Sequence, residues 1–208
     1  MSKATLQPSL QRRPLVKTIL EGADDNLLVL AGLGSANWDI TNAGDRPLNM
    51  PLWGAMGATV PMALGLALAQ PTRRVLVITG DGDMLMGMGS LATVAAQQPD
   101  NLAICVLDNE KFGETGNQAT HTSPRNKGPI DSGAGTDLSL IARGCGVADT
   151  GTVRDKAEVA QLVKDLRGNE GPVFRVVKVM VEKLDFVMPP QDGAYLKDRF
   201  REALLGRP

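Results

Sequence analysis

The chain has 208 residues, enough for one well-filled core, and its 43% hydrophobic and 22% charged contents are those of an ordinary globule. A net charge of −1 gives no electrostatic case for a nucleic-acid partner. No apolar run approaches bilayer-spanning length, and the polar start, Met1 to Pro14, lacks the apolar stretch of a leader, so a cytoplasmic protein without a membrane partner is expected.

After that polar extension, residues 1–14, a helix is expected around Leu15 to Glu21. Asn26 to Ala31 reads as an apolar strand ending in Gly32-Leu33-Gly34-Ser35, a glycine-rich strand end suited to a phosphate-side loop. The segment Pro47 to Met56 leads into a helix, Gly57 to Gln70, whose Ala, Leu and Met content predicts a buried element. Strands at Val75 to Ile78 and Leu102 to Leu107 flank a helix over Met84 to Gln98, a βαβ unit with a right-handed crossover. Glu110 to Thr136 is aperiodic and rich in Gly, Thr, Asn, Ser and Pro, and its place directly after Asn109 favours a functional loop.

Leu138 to Ala142 is a short helix, Lys156 to Leu166 an amphipathic one, and Val173 to Val181 a last β-branched strand. The tail, 182–208, carries Pro189-Pro190 and a helix over Tyr195 to Leu205 that docks either on this domain or on a partner through Leu196, Phe200 and Leu204. The pattern predicts an α/β fold over 15–181, a single doubly wound, mainly parallel sheet with helices on both faces. Cys105 in a strand and Cys145 in a Gly-flanked loop are expected to be inert thiols.

The most informative feature is a pair of strand ends. One strand finishes in Thr79-Gly80-Asp81-Gly82-Asp83, the other in Asp108-Asn109-Glu110, and each delivers an oxygen ligand. Gly80 and Gly82 let the backbone turn sharply and approach a phosphate, while the following helix presents its N-terminus to the anion. An isolated Gly-Asp-Gly is more often a plain turn, so the signal lies in the pairing.

That pairing resembles the thiamine diphosphate signature, and the resemblance extends from about Leu15 to Val181. Further matching phrases are Asp45-Arg46-Pro47-Leu48-Asn49, Gly54-Ala55-Met56-Gly57, Thr115-Gly116-Asn117-Gln118 and Ala142-Arg143-Gly144-Cys145-Gly146. They are most similar to the decarboxylase branch of the family, near the sulfopyruvate decarboxylase β subunit and phosphonopyruvate decarboxylase.

The resemblance implies Mg²⁺ held by Asp81, Asn109 and the carbonyl of Lys111, hard oxygen donors that suit this ion alongside phosphates. It also implies a thiamine diphosphate site built from Gly34, Ser35, Gly54, Ala55, Met56, Gly80, Asp81, Gly82, Asp83, Asn109, Lys111, Phe112 and Gly113. In that family an apolar residue at the place of Met56 holds the cofactor bent, and a carbonyl at the place of Gly54 receives its pyrimidine amino group. The plain alternative for Met56 is core packing.

Three departures stand out: Asp83 replaces a small residue, Ala55 a common Ser, and Met50-Pro51-Leu52-Trp53 a more aromatic segment. An added carboxylate at Asp83 should repel diphosphate unless it is turned away or paired.

No catalytic residue is assigned to this chain. His121, the single histidine, is either a substrate contact or an exposed bystander, and Glu114 either reaches the substrate or is a surface carboxylate. Asn117 and Gln118 serve the site or cap the loop, and Arg125 and Lys127 are candidates for an anionic substrate tail.

The family's activating Glu comes from a pyrimidine-binding domain that does not fit in this length, so a hetero-oligomeric partner subunit carrying it is expected. The implied function is that of the diphosphate- and Mg²⁺-binding subunit of a heteromeric decarboxylase for a small 2-oxo acid. The rivals are an acetolactate synthase-like carboligating subunit and a non-catalytic cofactor-binding scaffold. A plain dinucleotide-binding domain ranks last, because no strand is followed by a full GxGxxG.

Overall fold

The structure, a computed structural model, describes residues 8–124, 135–168 and 170–207. In chain order the first half comprises α1 (Arg12–Leu20), β1 (Leu27–Ala31), α2 (Ser35–Ala43), β2 (Asn49–Pro51), α3 (Thr59–Ala69), β3 (Arg74–Gly80), α4 (Asp81–Met86) and α5 (Ser90–Gln97). The second half comprises β4 (Leu102–Asp108), β5 (Lys111–Phe112), β6 (Gln118–Ala119), α6 (Leu138–Gly144), β7 (Asp149–Val153), α7 (Val159–Arg167), β8 (Val173–Lys178) and α8 (Gly193–Leu205).

Six strands form one parallel sheet in the order β2-β1-β3-β4-β8-β7, and β5 and β6 pair separately as an antiparallel ribbon. The central strands are continuous apolar runs because both faces of a parallel sheet are covered. Their alternation splits the core in two. Leu28, Leu30, Val75, Val77, Ile104 and Val106 face a layer that includes Val60, Leu64, Leu91, Val94 and Leu138 of α3, α5 and α6. Val29, Leu76, Ile78, Cys105 and Leu107 face Val16, Ile19, Ile40, Leu162 and Leu166 of α1, α2 and α7. This is the doubly wound α/β architecture expected from the pattern.

Several elements differ from expectation. The helix expected over Met84 to Gln98 is two helices, α4 beginning at Asp81 and α5 at Ser90. The break follows from packing at Gly87, where an added Cβ would stand 2.5 Å from the Gly57 carbonyl oxygen. α3 is buried on one face only, with Met62 44% and Leu68 50% exposed. Part of the long loop is ordered as β5, a 3₁₀ turn at Gly113–Thr115, and β6. Arg125 and Lys127 lie outside the described residues.

The ends of the chain join the fold. Leu10 is buried and pairs with Val179 beyond β8, ahead of where the polar lead was expected to end. α8 docks on this chain, with Leu196 and Phe200 buried and Arg199 forked onto Asp45 at 2.6 and 3.1 Å. Between β8 and α8 the chain runs over α2: the Phe186 ring centroid lies 4.4 Å from that of Trp38, tilted by 60°, and Trp53 Nε1 donates to the Pro190 carbonyl at 2.8 Å.

Candidate active site

The helix after β1 packs on one face of the sheet and the helices after β3 on the other, so the chain diverges at the C-terminal ends of these neighbouring strands. Doubly wound sheets bind ligands at such a crevice. Gly34 and Ser35 start α2 on one side, and Asp81 starts α4 on the other. Gly34 has φ +91° and no side chain caps the first turn of α2; Asn37 N donates to the Gly34 carbonyl at 3.0 Å, which leaves the N–H groups of Ser35 and Ala36 available to an anion.

Gly80 pairs with Leu107 in the β3–β4 register, which sets Asp81 beside Asp108 and brings Asn109 to the same edge. Asp81 is 1% exposed, and its Oδ2 accepts from Thr120 Oγ1 at 2.5 Å and Thr122 Oγ1 at 3.1 Å. Burial, reinforced by the nearby Asp108, pushes its pKa up to about 6. Thr122 Oγ1 also lies 2.8 Å from Asp108 Oδ1, and Lys178 Nζ on β8 pairs with Asp108 Oδ2 at 2.7 Å and Glu110 Oε1 at 3.0 Å. Burial opposes the charge on Lys178, but Asp108 and Glu110 outweigh it and hold its pKa above the ordinary value.

Beyond β4 the backbone folds tightly. Asn109 Oδ1 accepts from Lys111 N at 3.0 Å, and Glu110 adopts φ +62°, held by its N–H to Asp108 Oδ1 at 3.1 Å and by Thr120 N donating to its carbonyl at 3.0 Å. The β5–β6 ribbon returns Thr120 and Thr122 to Asp81, so the loop and this carboxylate form one network.

Met56 and Phe112 converge on Gly82. A Cβ there would stand 2.6 Å from Phe112 Cε1 and 3.7 Å from Met56 Cε, so any side chain at this position would displace the Phe112 ring. Gly54 and Ala55 lead to Met56 with φ of +150° and +52°. Asp83, implied as a cofactor residue, is instead paired within the protein, the alternative its sequence position left open. Its carboxylate is buried and turned into the fold, with Gly57 N donating to Oδ1 at 2.6 Å and Thr59 Oγ1 to Oδ2 at 2.9 Å. Thr79 Oγ1 donates to the same Oδ2. The side chain is therefore satisfied within the protein, which removes the repulsion a free carboxylate would exert on diphosphate.

The remaining candidates separate. His121 is exposed, as are Gly113 and Glu114, although Glu114 Oε1 lies 3.1 Å from where a Cβ on Gly34 would stand. Gln118 ties back onto Thr115, exchanging hydrogen bonds of 2.7 Å with its hydroxyl and its carbonyl, a capping role for the loop. Two concavities lie away from this site: one around Asp24, Arg74 and Arg167 at the N-terminal ends of β1 and β3, the other around Lys17, Ala43 and Arg46.

A family model described as "Thiamine pyrophosphate enzyme, C-terminal TPP binding domain" matches residues 34–177. The chain belongs to the thiamine pyrophosphate enzymes. Among relatives, it is similar to sulfopyruvate decarboxylase subunit beta of Methanocaldococcus jannaschii, with 33% identity over 197 residues that make up 93% of this chain and 97% of the relative. It is 30% identical over 204 residues to the sulfopyruvate decarboxylase of Methanosarcina acetivorans, a match covering 98% of this chain and 50% of that protein. The chain thus stands in the decarboxylase branch of the thiamine pyrophosphate enzymes. In fold it resembles a 2-oxoglutarate:ferredoxin oxidoreductase from Magnetococcus marinus, with a TM-score of 0.65 at 19% identity over 91% of this chain and 74% of that one.

The residues present fit this family's cofactor. Asp81 has both its side-chain donors on one oxygen, which leaves Oδ1 without a hydroxyl partner among the described residues, and its buried charge calls for a cation. Among the described residues no group of three or more His, Cys, Asp or Glu is arranged to hold a metal. A Mg²⁺ ion here would draw on one carboxylate, an amide oxygen, a carbonyl and phosphate oxygens, the mixed donor set this ion accepts.

Proposed function

We propose that this chain is the diphosphate- and Mg²⁺-binding subunit of a heteromeric thiamine diphosphate-dependent decarboxylase, acting on a 2-oxo acid of the sulfopyruvate or phosphonopyruvate kind. The observation that carries the reading is the end-to-end match, 93% of this chain against 97% of a relative named as a beta subunit. The 50% coverage of the Methanosarcina relative supports a second half of comparable size, supplied here by a partner chain. That partner would contribute the activating Glu and complete the site. Two unpaired cysteines suit a cytoplasmic setting.

In this reading Asp81, Asn109 and the Lys111 carbonyl hold Mg²⁺, and Gly34, Ser35, Gly80 and Gly82 approach the diphosphate. Met56 with Phe112 packs the organic part of the cofactor, and the Gly54 carbonyl receives its amino group. When bound, the cofactor supplies an electron sink for the carbon–carbon bond that breaks. This chain's residues orient it and hold its charge: Thr120 and Thr122 fix the Asp81 carboxylate, and Lys178 neutralises Asp108 behind it.

The reading is tested by purifying the tagged chain from its native cell with Mg²⁺ and thiamine diphosphate present, then identifying stoichiometric companions by mass spectrometry. A companion of the pyrimidine-binding-domain class is expected, and a clean homo-oligomer would contradict the split enzyme.

A further inference from the structure

Asp83 occupies the meeting point of several loops. Its Oδ1 takes the Gly57 N–H at 2.6 Å, and its Oδ2 takes the hydroxyls of Thr59 and Thr79. Gly32, at the end of β1, presses against it so closely that a Cβ there would come within 2.5 Å of Oδ2. The carboxylate is 4% exposed. It therefore ties together the end of β1, the end of β3 and the 54–59 segment. Gly57 is in turn held against Met86 and Gly87, where a Cβ would stand 2.9 Å from the Met86 carbonyl carbon.

We infer that Asp83 is a positioning residue that fixes the Met56 loop against the Gly80-Asp81-Gly82 strand end, and so sets how the organic part of the cofactor sits relative to its metal and diphosphate. The inference rests on the reading that the Met56 loop holds the cofactor rings. Met56 follows Gly54 and Ala55, both at positive φ, so its placement depends on what anchors the loop downstream. Its polar anchors are the Gly57 N–H and the Thr59 hydroxyl, and the acceptor of both is Asp83. Among the described residues, the network of Asp81, Thr120, Thr122, Asp108 and Lys178 shares no hydrogen bond with this cluster. A fault at Asp83 should therefore reach the rings before it reaches the diphosphate. Preorganised sites depend on such supporting groups.

The test uses the full chain with its co-purifying partner and compares wild type with Asp83→Ala and the milder Asp83→Asn. Affinity is measured by calorimetry for Mg²⁺ with inorganic diphosphate and for Mg²⁺ with thiamine diphosphate, and amide hydrogen exchange is followed at Gly57. In Asp83→Ala, diphosphate affinity is expected to stay within about twofold of wild type while thiamine diphosphate affinity falls about tenfold. Exchange at Gly57 should rise at least about tenfold while β3 and β4 remain protected. Asp83→Asn, which keeps the acceptor for Gly57 N, should show a smaller loss of the same kind and decides the matter if the alanine variant does not fold. Equal losses of both affinities, or no change in either, would overturn the positioning role. Failure of wild type to bind thiamine diphosphate would instead overturn the functional reading and leave the Gly57 exchange result to judge the clamp alone.

Discussion

Asp81 holds its place at a cost to the stability of the fold. Its pKa of about 6 lies above the unfolded carboxylate value of 3.8, so between those values the folded chain binds the proton more tightly. Stability therefore falls as pH rises through that window, and above it the full penalty, about 3 kcal/mol, is present. Asp81→Asn should raise the melting temperature of the cofactor-free chain at pH 8, with the gain vanishing near pH 4, and should abolish Mg²⁺-dependent thiamine diphosphate binding. Thermal unfolding across pH checks the first part, and an unchanged melting temperature at pH 8 would contradict it. Asp81, Asn109 and Lys111 were legible in the sequence because the motif is local to two strand ends. Thr120, Thr122 and Lys178 were not, because a ribbon and a distant strand bring them in. The one signal available was the run Thr120-His121-Thr122, alternating within the expected functional loop. Asp83 was read as a departure needing a partner; only the fold shows that its partners are Gly57, Thr59 and Thr79.

At the scale of elements, the junction of α4 with the Met56 loop is the least tolerant part of the site. Gly87 has φ −106°, which any residue adopts, so its need for glycine is steric alone. Gly87→Ala places a methyl group against the Gly57 backbone and should cost about 1–3 kcal/mol. Gly89→Ala, with nothing within 4 Å of its Cβ, should be neutral or slightly stabilising. Urea unfolding midpoints separate the two, and equal midpoints would contradict the packing. The apolar runs of β1, β3, β4 and β8 were legible because parallel strands buried on both faces need little else. β2 has three residues and a proline, β7 is a Gly- and Thr-bearing edge strand, and α2 buries Asn37 and Asp39 within a polar sequence, so none of them shows a clear period. The tail helix was legible as amphipathic, with Leu196 and Phe200 on its docking face, but that it docks on this chain came only with the structure, through the Arg199–Asp45 pair.

At the scale of the molecule, the candidate site lies at the C-terminal ends of β1, β3 and β4. Trp53 and Met86 stay 37% and 60% exposed beside Gly54 and Gly87, apolar surface at the place where the functional reading puts a second chain. The half-length match to the Methanosarcina relative agrees with a site completed by another domain. The measurement that bears most directly on this account is carbon dioxide release from sulfopyruvate with Mg²⁺ and thiamine diphosphate, by this chain alone, by its co-purified partner alone, and by the two together. Turnover is expected only from the combined chains. Turnover by this chain alone, or none from the complex on sulfopyruvate, phosphonopyruvate or other small 2-oxo acids, would contradict it.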